Sequence, residues 1–248
     1  MRWLTCVMWA QLPLALVAVV GLALDSRELL GVNVWLKPLK FEISTFIFLL
    51  TLGWMIRFYP AGFRPGERVA KMAAVAMAVE IALVVLQGAR GVRSHFNDST
   101  SFDGAVFTVM GLFILLNSFA VAKMAWLYWT APPATLAPGL LWGIRWGLML
   151  LLAGSMEAGP MLARLAHTVG AADGGAGLPM VNWSLAHGDL RVAHALGLHG
   201  MQALPLAGWL VDRWRLARPA ALVSGAAVAY TGLFLLLLRQ ALAGRPVL

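Results

Sequence analysis

The chain has 248 residues, 60% of them hydrophobic and 12% charged, with a mean hydropathy of +0.78, which excludes an ordinary soluble domain and points to an integral membrane protein. Its formal net charge of +8 is spread over short loops between apolar runs, so the basic balance serves membrane topology and not nucleic-acid binding. A single cysteine, Cys6, excludes an intramolecular disulfide, a CxxC redox pair and a thiolate zinc knuckle.

Arg2 and the apolar run after it have the outline of a signal peptide, but Leu22-Ala23-Leu24 before Asp25 is a poor small-x-small cleavage site. The run is therefore expected to remain as a first helix. Seven segments are long and apolar enough to span a bilayer, at roughly 9–24, 41–58, 69–86, 102–129, 138–156, 190–211 and 220–238. Helices are the open-ended elements that satisfy their own backbone in lipid, so the expected fold is all-α. It is a polytopic bundle of about seven transmembrane helices, read as a single domain over residues 1–248.

The densest basic clusters are Arg57, Arg64, Arg68 and Lys71, then Arg213, Arg215 and Arg218. Both fall on one side of a seven-span thread, which the positive-inside rule makes cytoplasmic. In a bacterial cytoplasmic membrane the N-terminus is then inside, the C-terminus outside, and segments 25–40, 90–103 and 159–189 lie on the outer face. The connector 160–189, rich in Gly and Ala, reads as a lid or re-entrant loop. All five histidines, His95, His167, His187, His194 and His199, fall at or near that outer face. Polar residues are costly there, so their concentration indicates a site.

In chain order, Lys37, Lys40, Ser44, Thr51 and Trp54 share one face of the second span, either as a cationic mouth for a carboxylate or phosphate or as lysines snorkelling beside Trp35. Glu42 lies off that face. On the third span Glu80 and Gln87 are seven apart and Arg90 continues their face. Glu80 is the deepest carboxylate and needs either a proton or a cation such as Arg145 or Lys123. His95 and Asn97 follow in Ser94-His95-Phe96-Asn97-Asp98, then Asp103, Glu157 and Asp189. Gly139, Gly143 and Gly147, four apart, give a close helix-packing face around Arg145.

On the sixth span Arg191, His194, His199 and Gln202 form a polar arc covering under half the circumference. His194 and His199 are five apart, so an ion bound by both needs further ligands from other helices. Met156, Met161, Met180 and Met201 keep Cu(I) open on that side. There is no GxSxG, no P-loop and no HExxH. The count of spans invites comparison with the membrane hydrolases that include alkaline ceramidases and progestin/adiponectin-type receptors. That superfamily pairs histidines four apart on its last span with zinc toward the inner side, whereas here the pair is five apart on the penultimate span and outside, so no family is assigned.

The leading expectation is a metal- or haem-binding membrane enzyme with an outer pocket in which His95, His194 and His199 hold Zn, Cu, Fe or haem. Glu80, Asp103 and Asp189 would act as its catalytic carboxylates, with Glu157 completing or orienting the ligands. Lys37, Lys40, Gln87, Arg90, Asn97, Arg191 and Gln202 would bind the polar end of a lipid or quinone-like substrate. A rival expectation is a proton-coupled transporter or sensor of a small anion, with Lys37, Lys40, Arg90 and Arg191 binding it and Glu80 plus histidines carrying protons. A third is an assembly subunit of a membrane complex whose polar cluster only holds helices together. The expected partners are membrane lipids, a lipid-soluble or anionic small molecule and a membrane-complex partner, with no nucleic acid.

Overall fold

The computed structural model describes residues 1–247. Its first half contains α1 (Arg2–Leu24), the short strands β1 (Glu28–Leu29) and β2 (Val32–Asn33), then α2 (Leu36–Ile56), α3 (Arg64–Arg90) and α4 (Ser101–Thr130). There follow α5 (Pro138–Met156), α6 (Ala158–Arg164), β3 (Thr168–Val169), β4 (Gly188–Asp189), α7 (Leu190–Arg213) and α8 (Pro219–Leu242). The seven expected spans are thus seven long helices, with α6 a single extra turn or two after α5. Six are long and apolar enough to cross a membrane, α5 being taken together with α6, and the chain is an integral membrane protein. The exception is α7, whose length carries Arg191, His194, His199, Gln202, Asp212 and Arg213. Large apolar side chains on α1 and α8, among them Trp9, Leu16, Val228 and Leu236, are left exposed, as a lipid-facing surface requires.

Tertiary contacts divide the chain within α4, at a place where the sequence carries no boundary signal, into unit 1 (Met1–Ala120) and unit 2 (Val121–Leu248). In unit 1, α1, α2 and α3 pack against one another. A Cβ at Gly88 would sit 2.7 Å from Pro38 Cγ, and one at Gly53 would sit 3.0 Å from Leu4 Cδ2, so these helices touch with no room to spare. The α1–α2 connector is tied down by Asp25. Its carboxylate accepts from Arg27 Nη2 at 2.6 Å and from Trp35 Nε1 at 2.9 Å, while Arg27 Nη2 also donates to Ala89 O at the end of α3.

Arg27, and after it the Trp35 indole, hold the Asp25 carboxyl well below its ordinary value of 3.8. A carboxylate with a depressed folded pKa contributes stability above its unfolded pKa and loses it as pH falls through the folded one. The Trp35 contribution to fluorescence, isolated by subtracting a Trp35→Phe spectrum, should therefore stay constant from neutral pH down to about pH 4. Asp25→Asn should shift it already at neutral pH. A wild-type transition above that range would contradict the anchoring role.

In unit 2, α5 and α7 run antiparallel with glycine against backbone. A Cβ at Gly147 would lie 2.8 Å from Gly200 O, and one at Gly154 would lie 2.8 Å from Gly197 Cα. Cβ atoms at Gly143 and Gly208 would fall inside contact distance of Leu204 O and Gly139 O. Glycine is needed because nothing larger lets the two backbones meet. At the far end Asp212 of α7 accepts from the amides of Gly139 (2.9 Å) and Leu140 (2.7 Å), which caps the start of α5. Helix α8 packs on both, with Tyr230 donating to Leu196 O and Trp146 Nε1 donating to Ser224 Oγ. Arg145 donates to Tyr128 O at 3.0 Å beneath the rings of Trp129 and Trp142, which is the architectural role that its glycine-rich setting suggests.

Candidate functional site

In unit 1 a cluster forms where the chain leaves α3. Gly91 adopts a left-handed conformation (φ 73°), and the amides of Gly91 and Val92 bond back to Gly88 O and Gln87 O. This Schellman-type end reverses the chain and returns residues 93–97 over the helix it has just left. His95 is thereby placed with Nε2 3.3 Å from Glu80 Oε1 and Nδ1 3.2 Å from Lys37 Nζ, with Ser94 Oγ at 3.1 Å from the same Nδ1. Phe41, Phe96 and Phe107 surround the imidazole at ring-centroid distances of 5.7, 6.2 and 6.3 Å. Glu80 is almost completely enclosed, and its approach to His95 is too oblique for a hydrogen bond.

The residue types determine what this row can do. A lysine ammonium has only hydrogens to give, so His95 Nδ1 facing it is an acceptor and the neutral ring carries its hydrogen on Nε2, the nitrogen on the Glu80 side. The result is an ammonium, an imidazole and a buried carboxylate in series. Glu80 thus has His95 and Lys37 as its neighbours; Arg145 and Lys123, suggested as partners on depth alone, belong to unit 2, where Lys123 lies 3.8 Å over the Trp126 ring.

A second network in unit 1 gathers Gln87, Arg90 and Asp103. Asp103 Oδ1 accepts from Gln87 Nε2 (2.9 Å) and Arg90 Nη1 (2.5 Å), Arg90 also reaches Gln87 Oε1, and Asp103 Oδ2 accepts from Thr100 Oγ1 at 2.7 Å. Thr100 Oγ1 in turn accepts from the Asp103 amide, a capping arrangement at the start of α4. Three of the expected binding and catalytic residues are therefore engaged with one another. Asn97 bonds Arg93 O and receives Ser99, which makes it a turn residue, and Lys40 is half-buried on α2.

Sequence reasoning passed over Glu42. It is 1% exposed in the second turn of α2, and neither carboxylate oxygen has a hydrogen-bond partner among the described residues. Gln11 Oε1 on α1 is likewise buried and unsatisfied. The available signal was that Pro38 and Phe46, the i±4 neighbours of Glu42, provide no cation.

In unit 2 His194 Nδ1 donates to Gly154 O at 2.8 Å and lies 3.3 Å from Glu157 Oε2, at the joint between α5 and α6. His199 is exposed on α7 and Gln202 is half-buried. Asp189 caps α7 by accepting from the Arg191 amide, and accepts also from Arg191 Nε and Nη2. His167 pairs with Asp173 at 2.9 Å. Burial pushes the Asp173 carboxyl up, and the His167 ring and the amides of His167 and Thr168 pull it below the usual carboxylate range. Of the expected metal ligands, His95 belongs to unit 1 while His194 and His199 belong to unit 2. Among the described residues no three His, Cys, Asp or Glu side chains converge closely enough to hold an ion. No known protein family matches this chain, and no curated protein or solved structure is significantly similar to it.

Proposed function

We propose that this integral membrane protein handles protons, as a proton-coupled transporter or sensor of a small anion, with Lys37, His95 and Glu80 as its relay. The observation that carries the reading is the imidazole of His95 standing between an ammonium at 3.2 Å and an enclosed carboxylate at 3.3 Å. Such a ring takes a proton at Nδ1 from Lys37 or from hydronium, gives its Nε2 proton to Glu80 as the ring turns into line with the carboxylate, and a ring flip restores the starting tautomer, with Lys37 reprotonated from the aqueous side. Buried carboxylates inside a membrane mark proton paths more often than architecture, because an unpaired one lowers stability. The basic clusters around Arg64 and Arg215 support a cytoplasmic position for those loops and hence an outward-facing relay mouth. Among the described residues no comparable arrangement supports a metal- or haem-enzyme reading.

Proteoliposomes loaded with a pH-sensitive dye and subjected to a pH step test the relay. Wild type is expected to conduct protons, and Glu80→Gln and His95→Gln to reduce the rate at least about tenfold while unfolding within a few degrees of wild type. Absence of wild-type flux, or full flux in Glu80→Gln, removes the reading. Lost thermal stability with no separable activity would instead indicate an assembly subunit.

A further inference from the structure

The connector between α6 and α7 is not a loose lid. Strands β3 and β4 pair through Thr168↔Asp189, a further bridge joins Gly177 to Ser184, and Asp173 and Asp189 each gather several donors. Within this connector lies a cavity of about 150 Å³, lined by Thr168, Ser184, His187 and Arg191 together with small residues of the 171–176 turn.

The polar side chains that line this space, Thr168, Asn182, Ser184, His187 and Arg191, can each donate a hydrogen bond. Asp189 is 1% exposed and both its oxygens are consumed, Oδ1 by the Arg191 amide and Nε and Oδ2 by Arg191 Nη2 and the Ser184 amide. Asp173 is likewise occupied by His167 and Thr168. Neither carboxylate therefore presents a free oxygen to the cavity. The grip of Asp189 and of Asn182 O on Arg191 fixes the guanidinium but leaves Nη1 without a protein acceptor among the described residues. Ser184 Oγ accepts from the amides of Ala186 and His187, so its own hydrogen is available to point elsewhere. The amides of Ala172, Gly174 and Gly175 also donate to no described protein acceptor.

We propose that this cavity binds a small oxyanion, a phosphate or carboxylate group, held by Arg191, His187, Ser184 and the amides of Ala172, Gly174 and Gly175. A planar guanidinium beside hydroxyl and backbone donors is the combination that matches such groups. The site rests on unit 2 alone, so a failed proton relay in unit 1 leaves it standing.

The group can come from a free anion or from a phospholipid headgroup, and two arms separate these sources. Delipidated protein in detergent is titrated calorimetrically with inorganic phosphate, and protein purified with its lipids is assayed by native mass spectrometry for retained phosphatidylglycerol. At least one arm should show binding, and Ala172→Phe, which fills the cavity from an exposed turn, should weaken it at least about tenfold, as should His187→Gln. Arg191→Gln also dismantles the Asp189 anchor and serves only as a confirming third variant. Binding in neither arm, or binding unchanged by Ala172→Phe in a protein that remains folded, overturns the proposal.

Discussion

Gly143→Leu should leave unit 2 unable to close α5 on α7. A Cβ at this position falls inside contact distance of Leu204 O and 2.8 Å from Pro205 Cα, which are backbone atoms that cannot move aside as a side-chain tip can. Overpacking of a close-packed interior costs about 1–3 kcal/mol where side chains can shift, and the upper end or beyond is expected where two helix backbones must separate. In lipid the penalty is compounded, because helix association there depends on close van der Waals contact and not on water exclusion. Gly225→Leu on α8 is the matched control: a Cβ there meets open space, and leucine is the better helix former by several tenths of a kcal/mol. Thermal unfolding in detergent should show a large fall in Tm for Gly143→Leu, a smaller one for Gly143→Ala and none for Gly225→Leu. Equal behaviour of Gly143→Leu and Gly225→Leu would refute the contact between the backbones.

The helices were legible because a span needs about twenty apolar residues and the chain supplies six such runs, with α7 a seventh long helix that carries several charged and polar residues. The glycines at 139, 143 and 147 announced a packing face, but their spacing cannot say which helix receives it; Gly197, Gly200 and Gly208 on α7 do, at uneven intervals that no simple motif captures. The roles of Asp103 and Asp189 were written locally. Thr100 three residues before Asp103, and Asp189 immediately before a helix, are cap signatures, and each aspartate does hold a helix start. Less could be read of the candidate site. Threading fixes depth along the membrane normal and leaves lateral position open, so His95, His194 and His199, at one level, were read as one ligand set. The contacts place three imidazoles each beside a carboxylate: His95 by Glu80, His167 by Asp173 and His194 by Glu157. The Glu80 pairing depends on a left-handed turn at Gly91 that returns the chain, and a side chain from a connector was not among the partners that depth alone suggested.

Glu42 offers the opposite test, a substitution expected to strengthen the protein. Its carboxylate is 1% exposed, on a helix packed against α1 and α3, with no hydrogen-bond partner for either oxygen among the described residues. Burying a polar group without such a partner costs about 1–3 kcal/mol in mutational series. Glu42→Leu, which removes the polar atoms and keeps most of the volume, should recover much of that amount and raise the unfolding temperature. Glu42→Gln retains an orphaned polar group and should stay close to wild type. Within the proposed relay, such a side chain would serve as a proton store alongside Glu80. Proton flux and thermal stability measured on the same preparations decide the matter. Higher stability with slower flux in Glu42→Leu assigns the carboxylate to the relay, whereas a loss of more than about 1 kcal/mol would mean that the group is satisfied in the membrane and that its burial carries no penalty to explain.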